Sequence, residues 1–216
     1  MMAGKRDPHT GQQVLRSGPP PENARLGVIL LHGRGASAED ILGLSDQFSA
    51  NDIAYAAPQA ANSTWYPYSF LAPFTQNEPW LGSALRVVAD LADDFGQRGI
   101  PADRLVVMGL SQGACLTLEF AARHARRYGA VVAFTGGLIG PRGSPRDYTG
   151  DFAGTPIFIG SGDADAHVPL ERVQESTAVF NRLGATVDER IYPGMGHTIN
   201  ADELRAADVL LTAGPR

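Results

Sequence analysis

The stretch VVMGLSQGACLTLEF, Val106–Phe120, joins an apolar strand-like run to a helix-like run through Gly-Leu-Ser-Gln-Gly. A strand-to-helix turn this tight needs small residues because its two backbone arms nearly touch, and Gly109 and Gly113 leave that room. Ser111 is then pushed outward above the N-terminus of a helix beginning at Gln112. The free N–H groups and positive dipole end of such a helix suit a developing oxyanion, so the pattern predicts an exposed, nucleophilic serine.

On both sides of this turn, the chain alternates β-branched apolar runs with helix-like segments. The runs predict parallel strands, because strands covered on both faces are apolar almost throughout. The predicted strands are 27–33, 52–58, 104–111, 129–136, 156–163 and 186–193. The predicted helices are 37–49, 80–98, 112–123, 168–183 and 201–211. This pattern indicates an α/β fold with a mostly parallel central sheet and helices on both faces.

Composition narrows the class of protein further. The chain has 216 residues, a net charge of −5 and scattered basic residues, which disfavours a nucleic-acid partner. The single cysteine, Cys115, cannot form an internal disulfide, as is usual in a reducing compartment. We find no apolar leader and no run of 18 apolar residues, so we expect a cytoplasmic protein without stable membrane insertion.

The beginning of the chain differs in composition from the rest. Its segment SGPPPE, Ser17–Glu22, contains three prolines that fit neither a helix nor a central strand. We therefore predict a mobile N-terminal arm over residues 1–25, with at most one edge strand near residues 13–16. Residues 26–216 are predicted to form a single domain without a large cap domain.

A serine hydroxyl needs a base, and the base needs an orienting acid. On this fold the acid and then the histidine follow the serine along the chain, each after a strand. The segment PIFIGSGDADAHVP ends its strand in Asp163 and Asp165, and IYPGMGHTI carries His197. We favour Asp165 as the acid and assign Asp163 to the turn or to support of the site.

The remaining histidines fit the role of the base less well than His197 does. His9 lies in the predicted arm, and His124 lies near a helix end. His167 is too close to Asp165 in sequence to bridge it to a serine on another strand. His32 ends a strand, where its ring is expected to fix the following His-Gly-Arg-Gly loop.

Two backbone N–H groups are expected to hold the oxyanion. One comes from the residue after the nucleophile, Gln112, and the other from the loop in LLHGRGAS, where we choose Arg34. Gly33 is the close alternative to Arg34. Both residues are expected to act through the backbone rather than through the side chain.

A long aromatic connection follows the second predicted strand, and a Gly/Pro-rich one, residues 137–154, follows the fourth. The aromatic connection, residues 59–79, includes WYPYSFLAPF, and its Trp65 and Tyr66 either line a substrate pocket beside Ser111 or pin the loop to the body. It is short compared with a cap domain. We therefore expect an open site that suits small or exposed substrates.

With LHGRG, GLSQG, GDADAHVP and GMGHTI in this order, the chain resembles the phospholipase/carboxylesterase family of α/β-hydrolases, which includes bacterial carboxylesterases and acyl-protein thioesterases. The resemblance extends from residue 27 to the C-terminus. It implies an α/β-hydrolase fold and a serine esterase without a cofactor or metal, often a homodimer. By motif, the nucleophile falls on Ser111, the acid on Asp165, supported by Asp-x-x-Val-Pro, and the base on His197.

These inferences predict a carboxylesterase that cleaves short-to-medium acyl esters through an acyl-enzyme. An acyl thioesterase, a lysophospholipase and a ligand-binding protein on the same fold are the alternatives. A nucleotide-binding enzyme is disfavoured, because Gly33–Ala38 matches Gly-x-Gly-x-x-Ala but no acid closes the second strand. A metal hydrolase built on Asp163, Asp165 and His167 is disfavoured, because no distant ligand completes that cluster.

Overall fold

The computed structural model describes residues 7–213, which build a seven-stranded sheet. The strands are β1 Val14–Ser17, β2 Leu26–Leu31, β3 Ile53–Pro58, β4 Leu105–Leu110, β5 Ala130–Phe134, β6 Pro156–Gly162 and β7 Thr186–Tyr192. They lie in the order β1-β3-β2-β4-β5-β6-β7, and only β1 runs antiparallel to its neighbour. The predicted α/β fold with a mostly parallel sheet is confirmed.

Helices cover both faces of this sheet. They are α1 Ala38–Leu42, α2 Phe74–Asn77, α3 Trp80–Gln97, α4 Gln112–Arg123, α5 Leu170–Arg182 and α6 Ala201–Ala213. One apolar core lies between the sheet and α3, α4 and α5, and a second lies between the sheet and α1 and α6. Successive residues of a strand enter opposite cores, as Val106 and Val107 do. Within residues 7–213, no helix combines the length and apolarity needed to cross a bilayer.

The helix predicted over residues 37–49 is shorter in the structure. Ser37 caps α1 by accepting a hydrogen bond from the Asp40 N–H, while the Asp40 carboxylate accepts one from the Ser37 N–H. From Gly43 the chain continues as a 3-10 turn to Gln47. Three of its five residues are Gly43, Ser45 and Asp46, and their low helix propensity explains the early end.

The N-terminal segment packs on the domain over residues 7–25, where the sequence predicted a mobile arm. Strand β1 pairs with β3 from Val14 opposite Pro58, close to the predicted edge strand. His9 is buried, and each tryptophan ring, Trp65 and Trp80, lies 5.4 Å from its imidazole. Composition does not reveal the burial of His9, because its hydrogen bonds run to Ser83 and Trp65, which are distant in sequence. Residues 1–6 of the predicted arm lie outside the described residues.

Buried arginines hold the Gly/Pro-rich connection, residues 137–154, against α5. The Arg172 guanidinium donates to the Leu138 and Gly140 carbonyls at 2.7 and 2.6 Å. Arg146 donates to the Ile139 carbonyl at 2.6 Å, and both arginines bind the Glu175 carboxylate at 2.8 Å. These bonds satisfy backbone carbonyls that have no strand or helix partner, so the irregular connection is packed against the body.

Helix α6 begins immediately after the loop that carries His197, and the buried carboxyl of Glu203 caps its N-terminus. The Asn200 side chain accepts the Glu203 N–H, and the Asn200 N–H donates to Glu203 Oε2 at 2.8 Å. The Glu203 side chain is buried against Gly160, where no Cβ would fit. Burial raises the pKa of Glu203 to about 7, against the smaller opposing effect of the Asn200 hydrogen bond.

We therefore expect Glu203→Gln to flatten the pH dependence of stability. The unfolded chain ionises this carboxyl near pH 4.5 and the folded chain near pH 7, so its stabilising contribution is full below 4.5 and is lost by about 7. Between pH 5 and 8, urea unfolding should show that the wild type loses roughly 2 kcal/mol more than the variant. Parallel pH profiles for the two proteins would contradict this assignment.

Candidate active site

The turn between β4 and α4 presents Ser111 in a strained backbone conformation. Its φ of 54° lies in the left-handed region that non-glycine residues rarely adopt. The Ser111 N–H donates to the Phe134 carbonyl at 2.9 Å, which holds the turn against β5. A Cβ at Gly109 would overlap the Gly113 backbone, and a Cβ at Gly113 would overlap the Leu31 carbonyl. Both glycines are therefore required by close backbone contacts.

Three of the predicted site residues form one chain of hydrogen bonds. His197 Nε2 lies 2.8 Å from Ser111 Oγ, and His197 Nδ1 lies 2.7 Å from Asp165 Oδ2. Ser111 follows β4, Asp165 follows β6 and His197 follows β7. The carboxyl ends of these parallel strands share one sheet edge, which brings together residues that are distant in sequence.

Asp165 is held as a buried carboxylate. Its Oδ1 accepts the N–H groups of His167 and Val168 at 2.7 and 3.0 Å, and its Oδ2 accepts the Thr135 hydroxyl at 3.2 Å. Burial raises the pKa of Asp165, but the hydrogen bonds from His197 and these N–H groups outweigh it and lower the pKa overall. Sequence reasoning missed Thr135, whose only signal was its position after the neighbouring strand.

The second aspartate binds the loop that leads to the histidine. Asp163 Oδ1 accepts the Gly194 N–H at 2.6 Å, which matches the turn role expected for it. A Cβ at Gly162 would overlap the Met195 carbonyl, so the end of β6 and this loop are in backbone contact. Among residues 7–213, no three His, Cys, Asp or Glu side chains are grouped to hold a metal ion.

His32 fixes the loop after β2, as the sequence predicted. Its Nδ1 lies 2.7 Å from the Gly33 carbonyl, and its Nε2 accepts the Ala60 N–H at 3.0 Å. Because Nε2 accepts, the ring proton must be on Nδ1, which donates to Gly33. Burial lowers the pKa of His32, which keeps this buried imidazole neutral.

The loop after β2 lies beside the serine. A Cβ built on Gly33 would lie 3.5 Å from Ser111 Cβ, so the two turns are in contact. Gln112 is the first residue of α4, where backbone N–H groups have no partner within the helix. The two predicted oxyanion donors, Arg34 and Gln112, both line the cavity that contains Ser111.

The side chains of these two residues have a role that the sequence did not predict. The Arg34 guanidinium donates four hydrogen bonds to the aromatic connection. The acceptors are Thr64 Oγ1 and the carbonyls of Tyr66, Pro67 and Tyr68, at 2.8 to 3.0 Å. Gln112 accepts the Trp65 N–H and donates to the Tyr66 carbonyl, at 2.9 and 2.8 Å. The residues beside Ser111 thus position the cavity wall.

The cavity in front of Ser111 has a volume of about 460 Å³. Its lining residues are Arg34, Tyr66, Pro67, Tyr68, Ser69, Phe70, Ser111, Gln112, Cys115, His167, Val168 and His197. Burial raises the pKa of the Tyr66 phenol well above its usual value and that of the Cys115 thiol to about 12. Both groups are therefore neutral at physiological pH, and the Cys115 thiol is a weak nucleophile there.

The two aromatic residues predicted to bind substrate have different positions. Tyr66 belongs to the cavity lining, whereas Trp65 is fully buried behind it. The Trp65 indole N–H donates to the His32 carbonyl at 2.9 Å. The Trp65 assignment is therefore corrected, because its side chain pins the connection to the body. Tyr68 and Phe70 occupy the cavity wall instead.

A serine on a strand-to-helix turn, with a histidine and a carboxylate from later strand ends, defines the class of α/β-hydrolases. Comparisons with known proteins specify the family. The family model of the phospholipase/carboxylesterases matches residues 14–213. This chain belongs to the phospholipase/carboxylesterase family and is a hydrolase of the carboxylesterase type, which confirms the resemblance seen in its motifs.

Three relatives illustrate this membership. A phospholipase/carboxylesterase from Dyadobacter fermentans has a similar structure, with a TM-score of 0.90 and 46% identity over 93% of this chain and 96% of its own. A probable carboxylesterase of Oryza sativa is 28% identical over 82% of this chain and 73% of its own. Acyl-protein thioesterase 1 of Debaryomyces hansenii is 30% identical over 54% of this chain and 51% of its own.

We expect Arg34→Met to weaken the cavity wall. The change keeps the backbone N–H but removes four hydrogen bonds, so it should lower stability by about 2 kcal/mol and ester kcat/KM by about tenfold. Arg142→Met is the control, because Arg142 is 88% exposed and its pair with Glu171 contributes less than about 1 kcal/mol. Urea unfolding and ester kinetics provide the measurements. Equal effects of the two changes would show that Arg34 does not hold the wall.

Proposed function

We propose that this protein is a serine carboxylesterase that cleaves short-to-medium acyl esters through Ser111, His197 and Asp165. The observation that carries this proposal is the unbroken hydrogen-bond chain from Ser111 Oγ through His197 to Asp165, with distances of 2.8 and 2.7 Å. Family membership independently supports ester or thioester hydrolysis. The catalytic roles of the three residues and the range of ester substrates are what we propose.

The first half of the reaction forms an acyl-enzyme. His197 Nε2 accepts the Ser111 proton while Oγ attacks the ester carbonyl carbon. Asp165 accepts a hydrogen bond from His197 Nδ1 and stabilises the imidazolium. The negative charge on the former carbonyl oxygen is held by the backbone N–H groups of Arg34 and Gln112. The tetrahedral intermediate then collapses, and the alcohol leaves with the proton from His197.

The second half repeats these steps with water as the nucleophile. His197 takes a proton from water, the hydroxide oxygen attacks the acyl carbon, and the tetrahedral intermediate expels Ser111 Oγ. Ser111 recovers its proton from His197, and the carboxylic acid product is released. Only an ester and water enter the sequence, so the proposed mechanism uses no cofactor.

The cavity supports the proposed range of acyl lengths. A volume of about 460 Å³ is at the small end of the range usual for ligand sites, so it accommodates a short acyl group and a small alcohol together. Among the aromatic residues of the lining, Tyr68 is exposed and offers apolar surface for the acyl chain. Phospholipid-sized substrates would extend beyond these walls.

Hydrolysis of p-nitrophenyl esters from acetate to decanoate tests the proposal. We expect activity to be highest on the short-to-medium esters and to fall at least about 10⁴-fold in Ser111→Ala and in His197→Ala. In mass spectra, a fluorophosphonate probe should label Ser111 in the wild type. Labelling of another residue, or full activity in Ser111→Ala, would refute the assigned nucleophile.

A matched pair of aspartate variants tests the acid. Asp165→Asn should lower kcat by about 10³-fold to 10⁴-fold, because the amide no longer favours the required histidine tautomer. Asp163→Asn retains the oxygen that accepts the Gly194 N–H and should stay within about threefold of the wild type. The opposite order of effects would reassign the acid to Asp163.

An acyl thioesterase is the second candidate, favoured by the relatives named acyl-protein thioesterase. The same acyl-enzyme forms from either class of substrate, so the triad alone does not select between them. Ethyl butyrate and S-ethyl thiobutyrate form a matched test pair. A kcat/KM that favours the thioester after correction for the uncatalysed rates would make thioesters the preferred substrate.

A further inference from the structure

The accessible charge in the cavity is cationic, although the whole chain carries a net charge of −5. The lining contains Arg34 and two histidines but no aspartate or glutamate. Arg34 is exposed and its bonds run to carbonyl and hydroxyl oxygens, which leave its charge uncompensated. Within residues 7–213, no carboxylate lies within ion-pair distance of it.

Three carboxylates near the cavity are engaged by partners, and the exposed Asp163 does not line the cavity. Glu119 is buried and pairs with Arg123 at 2.7 Å, and Glu175 binds Arg146 of the Gly/Pro-rich connection and Arg172 of α5. Asp165 is buried and binds His197. The arginines cancel the negative charge of Glu119 and Glu175, so an entering molecule meets the charge of the unpaired Arg34 and the ring N–H groups of the histidines.

His167 has an unused imidazole at the mouth of this cavity. Its ring packs edge-on against the His197 ring, with 4.8 Å between centroids and 67° between planes. The residue is exposed, and only its backbone N–H takes part in a hydrogen bond to Asp165. Over residues 7–213, its ring nitrogens have no hydrogen-bond partner. The mechanism proposed above gives this side chain no role.

The position of His167 determines which part of the substrate its ring would contact. His197 Nε2 delivers the proton to the leaving oxygen, so the alcohol portion of the ester lies against His197. His167 is in ring contact with His197 and borders the same cavity. A group on the alcohol portion is therefore within reach of the His167 ring, whose N–H can donate a hydrogen bond.

We propose that the site prefers esters whose alcohol portion carries a carboxylate, held by a hydrogen bond from His167 in the positive field of Arg34. Charge-assisted hydrogen bonds of this kind are short and strong, and a cavity of fixed positive charge raises the local concentration of anions. This inference rests on the proposed function, because it concerns the same serine, cavity and leaving group.

Two esters that differ in one group test the preference. In 4-acetoxybenzoate the leaving phenol carries a carboxylate, and in methyl 4-acetoxybenzoate the same position carries a neutral methyl ester. We expect His167→Phe, which keeps a ring but has no N–H donor, to lower kcat/KM about fivefold or more on the first ester and less than about twofold on the second. Comparing the wild-type-to-variant ratio for each ester cancels the difference in their intrinsic reactivity.

His124→Phe is the matched control, because it removes another exposed imidazole, at the end of α4 opposite to Ser111. This control should give the same wild-type-to-variant ratio of kcat/KM on both esters. Raising NaCl from about 20 to 500 mM should reduce wild-type kcat/KM on the charged ester alone, since salt screens exposed charges. An equal loss on both esters in His167→Phe would assign His167 to positioning of His197 and overturn the proposal, as would no loss on either.

Binding of the alcohol products separates this inference from the proposed function. Calorimetry should show 4-hydroxybenzoate binding at least about fivefold more weakly to His167→Phe than to the wild type, with methyl 4-hydroxybenzoate unaffected. This readout needs no turnover. If it succeeds while neither ester is hydrolysed, the proposed reaction fails and the anion site stands. If both esters are cleaved but binding is unchanged, the anion site fails alone.

Discussion

The active site depends on one backbone contact, between the first turn of α4 and the end of β2. Gly113 approaches the Leu31 and His32 carbonyls so closely that a Cβ there would overlap Leu31. Any side chain would push α4 away from β2 and separate the two turns to which we assign the oxyanion donors. This van der Waals limit, rather than a hydrogen bond, sets the distance between Ser111 and the loop that begins at Gly33.

A second set of interactions connects this contact to the cavity. Arg34 and Gln112 are the residues whose N–H groups we assign to the oxyanion, and their side chains hold the residues around Tyr66. Each of these two residues therefore contributes its backbone N–H to the proposed chemistry and its side chain to the cavity wall. A movement of the wall would displace the oxyanion donors, so cavity shape and catalytic geometry are coupled.

Local sequence patterns predicted the parts of the molecule that local physics determines. The strand–turn–helix around Ser111 is set by glycines and apolar periodicity, and parallel strands necessarily place their carboxyl ends at one edge. The position of His9 could not be predicted in this way, because its burial depends on Trp65 and Trp80, which are distant in sequence. The roles of Thr135 and of the Arg34 side chain depend on tertiary contacts in the same sense.

The distribution of paired and unpaired charged side chains also limits how the cavity can select a substrate. Paired charges such as Glu119 with Arg123 hold the body together, and Arg34 is left unpaired at the site. At physiological ionic strength, interactions between exposed charges are screened beyond about 8 Å. A molecule inside the cavity is therefore affected by the nearby cationic lining more than by the net charge of −5 of the whole chain. The acidic exterior does not attract an anionic ester from solution. Selection for charge therefore operates after entry, through the lifetime of the complex rather than the rate of encounter.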